Sequence, residues 1–285
     1  MTGVPLEDFR PPASGLHVAL GFFDGVHRGH RALLSRADAA LTFRNHPAAV
    51  LRPDQPLEFL STFEERVELL GVPAIWCDFT LEFARQAPGE FIQNVLIQRL
   101  DARRVVVGLS YRFGHRAAGT VETLREDGRF EVDVVPAVLE GGEVISSTRI
   151  RALLREGQVE SANRLLGRPY RLTGVVQEGQ RRGRELGAPT ANLSLEPGKV
   201  VPAHGVYAVV ASGHPGVANL GVRPTFGGGA PVLEVHLLDF EGDLYGRTLS
   251  VEFRDRIRGE QKFPDLDSLR GQIARDIEAA RRVLV

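Results

Sequence analysis

The chain has 285 residues, 43% of them hydrophobic and 25% charged, with a formal net charge of −1. That length holds two domains of ordinary size, and the near-neutral balance gives no reason to expect nucleic acid or an anionic membrane as the main partner. The lone cysteine, Cys77, excludes an internal disulfide; with no secretory signal and no run of about 18 apolar residues, a cytoplasmic protein without membrane spans is expected.

In chain order, residues 17–23 predict a strand that ends in a glycine-flanked turn, and 29–39 a helix. Strands follow at 40–43, 74–77, 104–108 and 132–138, with helical spacing at 63–70 and 88–100 and two short helices over 148–166. This alternation predicts a parallel sheet covered by helices. From Arg168 glycine and proline become dense, and short alternating strands are predicted at 172–176, 205–211, 216–220, 232–239 and 248–253. Such a run predicts an antiparallel barrel or sandwich. A last helix, 266–283, carries Leu269, Ile273, Ile277 and Ala280 on one stripe. The break at Gly167-Arg168-Pro169 divides the chain into domains 1–167 and 168–285.

The sharpest local feature is Gly21-Phe22-Phe23-Asp24-Gly25-Val26-His27-Arg28-Gly29-His30. An apolar strand running through glycines into a helix leaves backbone N–H groups and the positive helix end beside the turn, a ready anion site. His27 and His30, three apart, face the same side. Two imidazoles there can hold a triphosphate and stabilise charge that builds during nucleotidyl transfer. The plainer alternative, a capping or gap-filling histidine, suits one histidine better than a pair between Gly25 and Gly29. The His-x-Gly-His helix start resembles the nucleotidyltransferase superfamily whose enzymes direct attack at an α-phosphate, and the longer string resembles its flavin branch.

A second string, Ile145-Ser146-Ser147-Thr148-Arg149-Ile150-Arg151, is similar to that branch's signature Ile-Ser-Ser-Thr-x-Ile-Arg. Read physically, Ser146, Ser147 or Thr148 can cap a helix, and its amides with Arg149 can meet the phosphates that leave as pyrophosphate. A plain N-cap is the alternative. The resemblance assigns Gly21, Phe22, Asp24 and Gly25 to the nucleotide as well. It places Asn45, in Thr42-Phe43-Arg44-Asn45-His46-Pro47, and Ser110, in Gly108-Leu109-Ser110-Tyr111-Arg112-Phe113-Gly114, beside the flavin. At these two positions the family usually carries proline and a carboxylate or amide, respectively.

In the second half, Gly179-Gln180-Arg181-Arg182-Gly183-Arg184 suits a loop that wraps phosphates with amides and guanidinium groups. In the Pro189-Thr190-Ala191-Asn192 that follows, Thr190 and Asn192 are two apart and point the same way if extended, so their oxygens can hold a hard cation together with ATP phosphates. A flexible basic loop followed by a turn is the alternative. The string resembles riboflavin kinase, whose Pro-Thr-Ala-Asn holds magnesium and nucleotide. Gly205-Val206-Tyr207, Asn219-Leu220-Gly221-Val222-Arg223-Pro224-Thr225-Phe226, Leu244-Tyr245-Gly246-Arg247 and Ile257-Arg258-Gly259-Glu260-Gln261-Lys262-Phe263 are similar too. The resemblance gives Gly179 and Arg184 to phosphate, Arg247 to flavin, and the general base to Glu234.

Together these strings resemble the bifunctional riboflavin kinase/FMN adenylyltransferase family over nearly the whole chain. The resemblance implies a Rossmann-like α/β nucleotidyltransferase domain, then a six-stranded antiparallel barrel with a terminal helix. It implies that riboflavin and ATP give FMN and ADP in the second domain, that FMN and ATP give FAD and pyrophosphate in the first, and that both steps use Mg²⁺. Two rivals remain: a kinase whose first domain is weak or inactive, and a flavin-binding regulatory module without turnover. A pure binder needs neither the base Glu234 nor the cation ligands Thr190 and Asn192. The serine at 110 yields a prediction. A serine hydroxyl reaches less far than the amide or carboxylate it replaces but still bonds, through water at modest cost. Ser110→Asn or Ser110→Asp therefore changes the apparent affinity for FMN or ATP more than turnover, as paired KM and kcat measurements will show. A parent that makes no FAD until Ser110→Asp restores it would contradict this.

Overall fold

The computed structural model describes residues 3–177, 190–222 and 231–284. The chain forms two compact units, Met1–Ser147 and Thr148–Val285.

In the first unit β1 (Val4–Pro5), β2 (Leu16–Leu20), β3 (Ala39–Phe43), β4 (Ala74–Cys77), β5 (Ala102–Gly108) and β6 (Glu131–Val135) form one parallel sheet in the order β1-β4-β3-β2-β5-β6, and β7 (Leu139–Glu140) pairs with β8 (Glu143–Val144) in a separate two-stranded sheet. Side chains alternate between its faces, and the two faces differ in bulk. Val18, Leu41, Ile75, Val105 and Val107 face a large-residue core with Phe91, Leu96, Phe113 and Leu124. Ala19, Ala40, Ala74 and Val106 face the other way, against Phe23, Leu34, Val67 and Leu70. Alanines on that face let α1 (Arg28–Leu34) and α3 (Phe63–Leu69) lie close to the strands. The opposite face is covered by α5 (Pro88–Phe91), its π-helical continuation Ile92–Arg99, and α6 (Val121–Asp127). Both faces are therefore dry, as a parallel sheet requires.

The differences from the sequence pattern have local causes. The strand over 17–23 stops at Leu20, because Phe23 and Val26 take positive φ angles of 58° and 39°. The helix expected to reach residue 39 ends at Leu34, and Asp38 then turns the chain into β3 by bonding to His17 through backbone and carboxylate. The 88–100 helix changes pitch: Leu100 N–H reaches back five residues to the Val95 carbonyl at 3.1 Å. Short helices α2 (Pro47–Leu51) and α4 (Leu81–Arg85) were not signalled by periodicity, being too short to show it.

The second unit opens with α7 (Ser147–Arg155), which starts one residue before the unit boundary, and α8 (Val159–Leu166). Strands β9 (Tyr170–Gln177), β10 (Ala191–Leu195), β11 (Gly205–Ala211), β12 (His214–Val222), β13 (Pro231–Leu237) and β14 (Thr248–Arg258) follow. They close an antiparallel barrel in the order β10-β13-β12-β11-β14-β9, with β9 pairing β10. Closure removes the open edges that a sandwich would leave. The sixth strand, β10, lies where the sequence showed only the cation-binding string. Its interior is filled by Leu172, Val176, Leu193, Tyr207, Ala218, Leu220, Leu233, Val235, Val251 and Phe253, all buried. The helical pair packs on this barrel: Ala203 N–H donates to the Leu154 carbonyl, and the Asn163 amide bridges the Phe253 carbonyl and the Tyr170 N–H. The last helix, α9 (Leu266–Leu284), lies against β11, β12 and β14, where its buried Asp276 takes three bonds from Arg258 at 2.8 to 3.1 Å.

Gly174 shows how closely β9 and β10 approach. A Cβ there would lie 2.4 Å from the Ser194 carbonyl oxygen and 3.1 Å from Leu193 Cβ. Overpacking of this kind costs about 1–3 kcal/mol. Gly174→Ala is therefore expected to lower the urea midpoint of the barrel, read by far-ultraviolet circular dichroism; an unchanged midpoint would contradict the packing described.

Candidate active sites

Ligands on an open parallel sheet bind beyond the carboxyl ends of its strands, near the point where strand order reverses. Here β2 lies inside the sheet, with β3, β4 and β1 on one side and β5 and β6 on the other. The β2 end carries Gly21–His30, the β3 end carries Asn45 and His46, and the β5 end carries Leu109 and Ser110. Parallel topology thus gathers on one edge three segments that are far apart in sequence.

The β2 loop is built around Asp24, which is 4% exposed. Its carboxylate accepts the backbone N–H groups of Leu60 at 2.8 Å and Ser61 at 3.1 Å. Gly25 N–H donates to Ser61 Oγ at 2.9 Å, and Ser147 Oγ donates to the Asp24 carbonyl at 2.9 Å. Gly25 has φ +75°, and a Cβ there would strike Leu60 Cβ at 2.9 Å, so glycine is required. The next turn ends in His27, which is buried and caps α1: its Nδ1 accepts the His30 N–H at 3.3 Å, which puts the ring proton on Nε2. The two imidazoles stack, with centroids 3.6 Å apart and planes at 17°. A Cβ at Gly29 would lie 3.1 Å from the His27 ring, so the motif's last glycine makes room for this stack. Phe23 meets His30 edge-on at 5.4 Å.

Beside this loop, α3 sends in Arg66, which is only 1% exposed. Its guanidinium carbon sits 4.0 Å over the Phe22 ring, and Nη2 donates to the carbonyls of Phe43 at 2.5 Å and Arg44 at 3.2 Å. Burial pushes this guanidinium down to about 10, with Asp24 and then Glu64 pulling it back up. Arg149 lies in the first turn of α7, while Ser146 and Thr148 flank its first residue.

On the barrel, register decides the grouping. In β13, Leu233, Val235 and Leu237 point inward and are buried, so Glu234 and His236 point outward. Glu234 is paired directly with Asn192 on one neighbouring strand and Asn219 on the other. Asn192 is paired in turn with Gln177. Directly opposed residues share a face with Cβ atoms about 4.5–5.5 Å apart, so these four form a polar row across the outside of the barrel. Asn192 is 7% exposed, and Thr190 is half-buried two residues before it. Arg247 reaches the same end: its carbonyl accepts the Val176 N–H at 2.9 Å, next to Gln177. Gly179 and Arg184 lie outside the described residues.

These two groupings match known proteins. The FAD synthetase family model matches residues 10–149, and the riboflavin kinase family model residues 166–284. A bifunctional riboflavin kinase/FMN adenylyltransferase from Escherichia coli (strain K12) is 40% identical, over 95% of this chain and 93% of that protein. Proteins of the same name from Pseudomonas fluorescens and Bacillus subtilis (strain 168) are 38% and 37% identical, over 97% and 93% of this chain and 95% and 91% of theirs. The chain belongs to the bifunctional riboflavin kinase/FMN adenylyltransferase family. A crystal structure described as a macrolide-efflux protein from Streptococcus pneumoniae shares the fold, with TM-score 0.89 and 33% identity over 99% of both chains. Among the described residues of the present chain no helix is long and apolar enough to cross a membrane.

The two departures from the pattern of bifunctional riboflavin kinase/FMN adenylyltransferases sit differently. Asn45, in place of proline, uses both ends of its amide on Phe79: Nδ2 donates to its carbonyl at 2.9 Å, and Oδ1 accepts its N–H at 2.7 Å. Two bonds thus stiffen this turn. Ser110 lies exposed in the turn closed by Tyr111 N–H on the Gly108 carbonyl. Arg66 was not foreseen, because Phe63-Glu64-Glu65-Arg66 reads as the start of an ordinary surface helix. Asp24→Ala leaves two buried N–H groups without their acceptor, at about 1–3 kcal/mol each. We expect it to lower the thermal midpoint of the first unit and to cut FAD formation while FMN formation persists; unchanged stability would contradict the clasp.

Proposed function

We propose that the chain makes FMN from riboflavin on the outer row of the barrel and FAD from FMN at the carboxyl edge of the parallel sheet. Support for the kinase half rests on one observation above others: Glu234 stands directly opposite Asn192 in the barrel register. The ribityl 5′-hydroxyl of riboflavin gives its proton to Glu234 as its oxygen attacks the γ-phosphorus of ATP. The bond to the β–γ bridging oxygen breaks, and ADP leaves. Thr190 and Asn192 offer two neutral oxygens, and among the described residues no group of three or more His, Cys, Asp or Glu is placed to cage a metal. Such a pair fits Mg²⁺, which is usually held by few protein ligands and completes its shell with phosphate oxygens and water. Bound there, it neutralises charge on the ATP phosphates. Gly179 and Arg184 wrap those phosphates, and Arg247 meets the flavin.

In the first unit a phosphate oxygen of FMN attacks the α-phosphorus of a second ATP, the α–β bridging bond breaks, and pyrophosphate leaves. His27, with its proton on Nε2, and His30 stabilise the charge that builds on the phosphates. Ser146, Ser147, Thr148 and Arg149 receive the pyrophosphate. Gly21, Phe22 and Gly25 shape the loop, and Asp24 acts through it rather than on the nucleotide. Asn45 and Ser110 border the flavin, Asn45 by fixing its turn. We assign adenylyl transfer to residues 1–167 and the kinase to 168–285, and place the enzyme in the cytoplasm, where ATP is abundant and the thiol of Cys77 stays reduced.

Incubation of the full chain with riboflavin, ATP and Mg²⁺, followed by chromatographic separation of the flavins, tests the reading. The parent yields FMN and then FAD. Glu234→Ala abolishes FMN formation but still converts supplied FMN to FAD, whereas His30→Ala stops at FMN with a loss of about 100-fold or more in the second step. Thr190→Ala weakens only the kinase step. Equal loss of both products from Glu234→Ala, or normal FAD formation by His30→Ala, would overturn the assignments.

A further inference from the structure

Arg66 is a buried charge that the chemistry above does not use. Among the described residues no carboxylate forms an ion pair with it, and its Nε–H is buried with no hydrogen-bond acceptor. A buried guanidinium without a salt-bridge partner is expensive, and residues that break a folding rule in this way concentrate at functional sites. What it touches is specific. Its guanidinium carbon sits 4.0 Å over the Phe22 ring, and that ring also meets His46 edge-on at 4.4 Å. Nη2 holds the last carbonyl of β3 and the one after it, at Phe43 and Arg44. Thr42 Oγ1, buried in the same strand, donates to the Phe22 carbonyl at 3.1 Å. One side chain therefore ties the loop after β2 to the loop after β3.

We infer that Arg66 is a positioning residue for adenylyl transfer, which sets the spacing between the phosphate loop and the flavin-side turn through Phe22. The inference rests on the adenylyltransferase reading of that edge. Only a guanidinium does both jobs, because its flat face stacks on the ring while its edge donates to the carbonyls. Lysine keeps the charge but offers a single nitrogen, and methionine keeps only the stem. Misplacing reacting groups by about 1 Å from a distance costs up to roughly 100-fold in rate.

The test uses the full chain, measuring kcat and KM for FAD formation from FMN and ATP, with FMN formation from riboflavin as the internal control. Arg66→Met is expected to lower kcat for FAD formation about 10- to 100-fold, to move the two KM values much less, and to leave the kinase rate unchanged. Combining it with Phe22→Leu gives a loss smaller than the product of the two single losses, because the two side chains are coupled through their contact. Parental kcat in Arg66→Met, a matching fall in the kinase, or losses that multiply in the double variant would each overturn the inference. If Arg66→Met fails to fold, Arg66→Lys carries the test: a partial kcat loss confined to FAD formation supports positioning, and full activity overturns it. A parent that makes no FAD from FMN overturns the adenylyltransferase reading and this inference with it, whereas a parent that makes FAD beside a fully active Arg66→Met sinks this inference alone.

Discussion

The first unit depends on one buried carboxylate. Asp24 accepts two backbone N–H groups from the chain entering α3, and those charge-assisted bonds are the strong kind. They hold a loop that would not keep its shape by itself, since Phe23, Gly25 and Val26 all have positive φ. For the two non-glycine residues that backbone costs about 1–3 kcal/mol each, and it persists only where the surroundings over-determine it. Phe23 and Val26 are fully buried, and the clasp closes on Gly25 between them. The outcome is a stacked His27–His30 pair at a fixed place on the sheet edge.

The barrel achieves the same end by register instead of clasp. Directly opposed residues on adjacent strands cannot drift apart without slipping the ladder, and a one-residue slip would turn the buried face of β13 outward. Closure of all six strands forbids that slip. The row from Gln177 through Asn192 and Glu234 to Asn219 is thereby held in register. The two units thus fix these side chains by different physics, a hydrogen-bonded strained loop in one and a hydrogen-bonded ladder in the other.

Much of this was legible in the sequence because it is local. The strand at 74–77, the paired histidines and the terminal helix each follow from spacing, and family resemblance identified both activities. Less legible was whatever depends on tertiary contact. The strand Ala191–Leu195 was hidden because its residues also spell a cation-binding string. The bond from Asp24 to Leu60 and Ser61 spans 36 and 37 positions, and nothing local announces it. Arg66 was invisible for the same reason: its partners lie 22 and 23 positions away, while its own helix looks solvent-facing. Asn45, conspicuous as a departure, is explained by Phe79, 34 positions on.

The proposed function requires two nucleotide sites, each set by one of these devices. A crystal structure of the full chain with a non-hydrolysable ATP analogue, Mg²⁺ and flavin tests it most directly. Two bound nucleotides are expected, one with its phosphates within hydrogen-bond distance of His27 and His30, the other with its terminal phosphate facing Glu234 and its cation on Thr190 and Asn192. A single nucleotide, or phosphates that avoid the histidine pair or the outer row of the barrel, would contradict it.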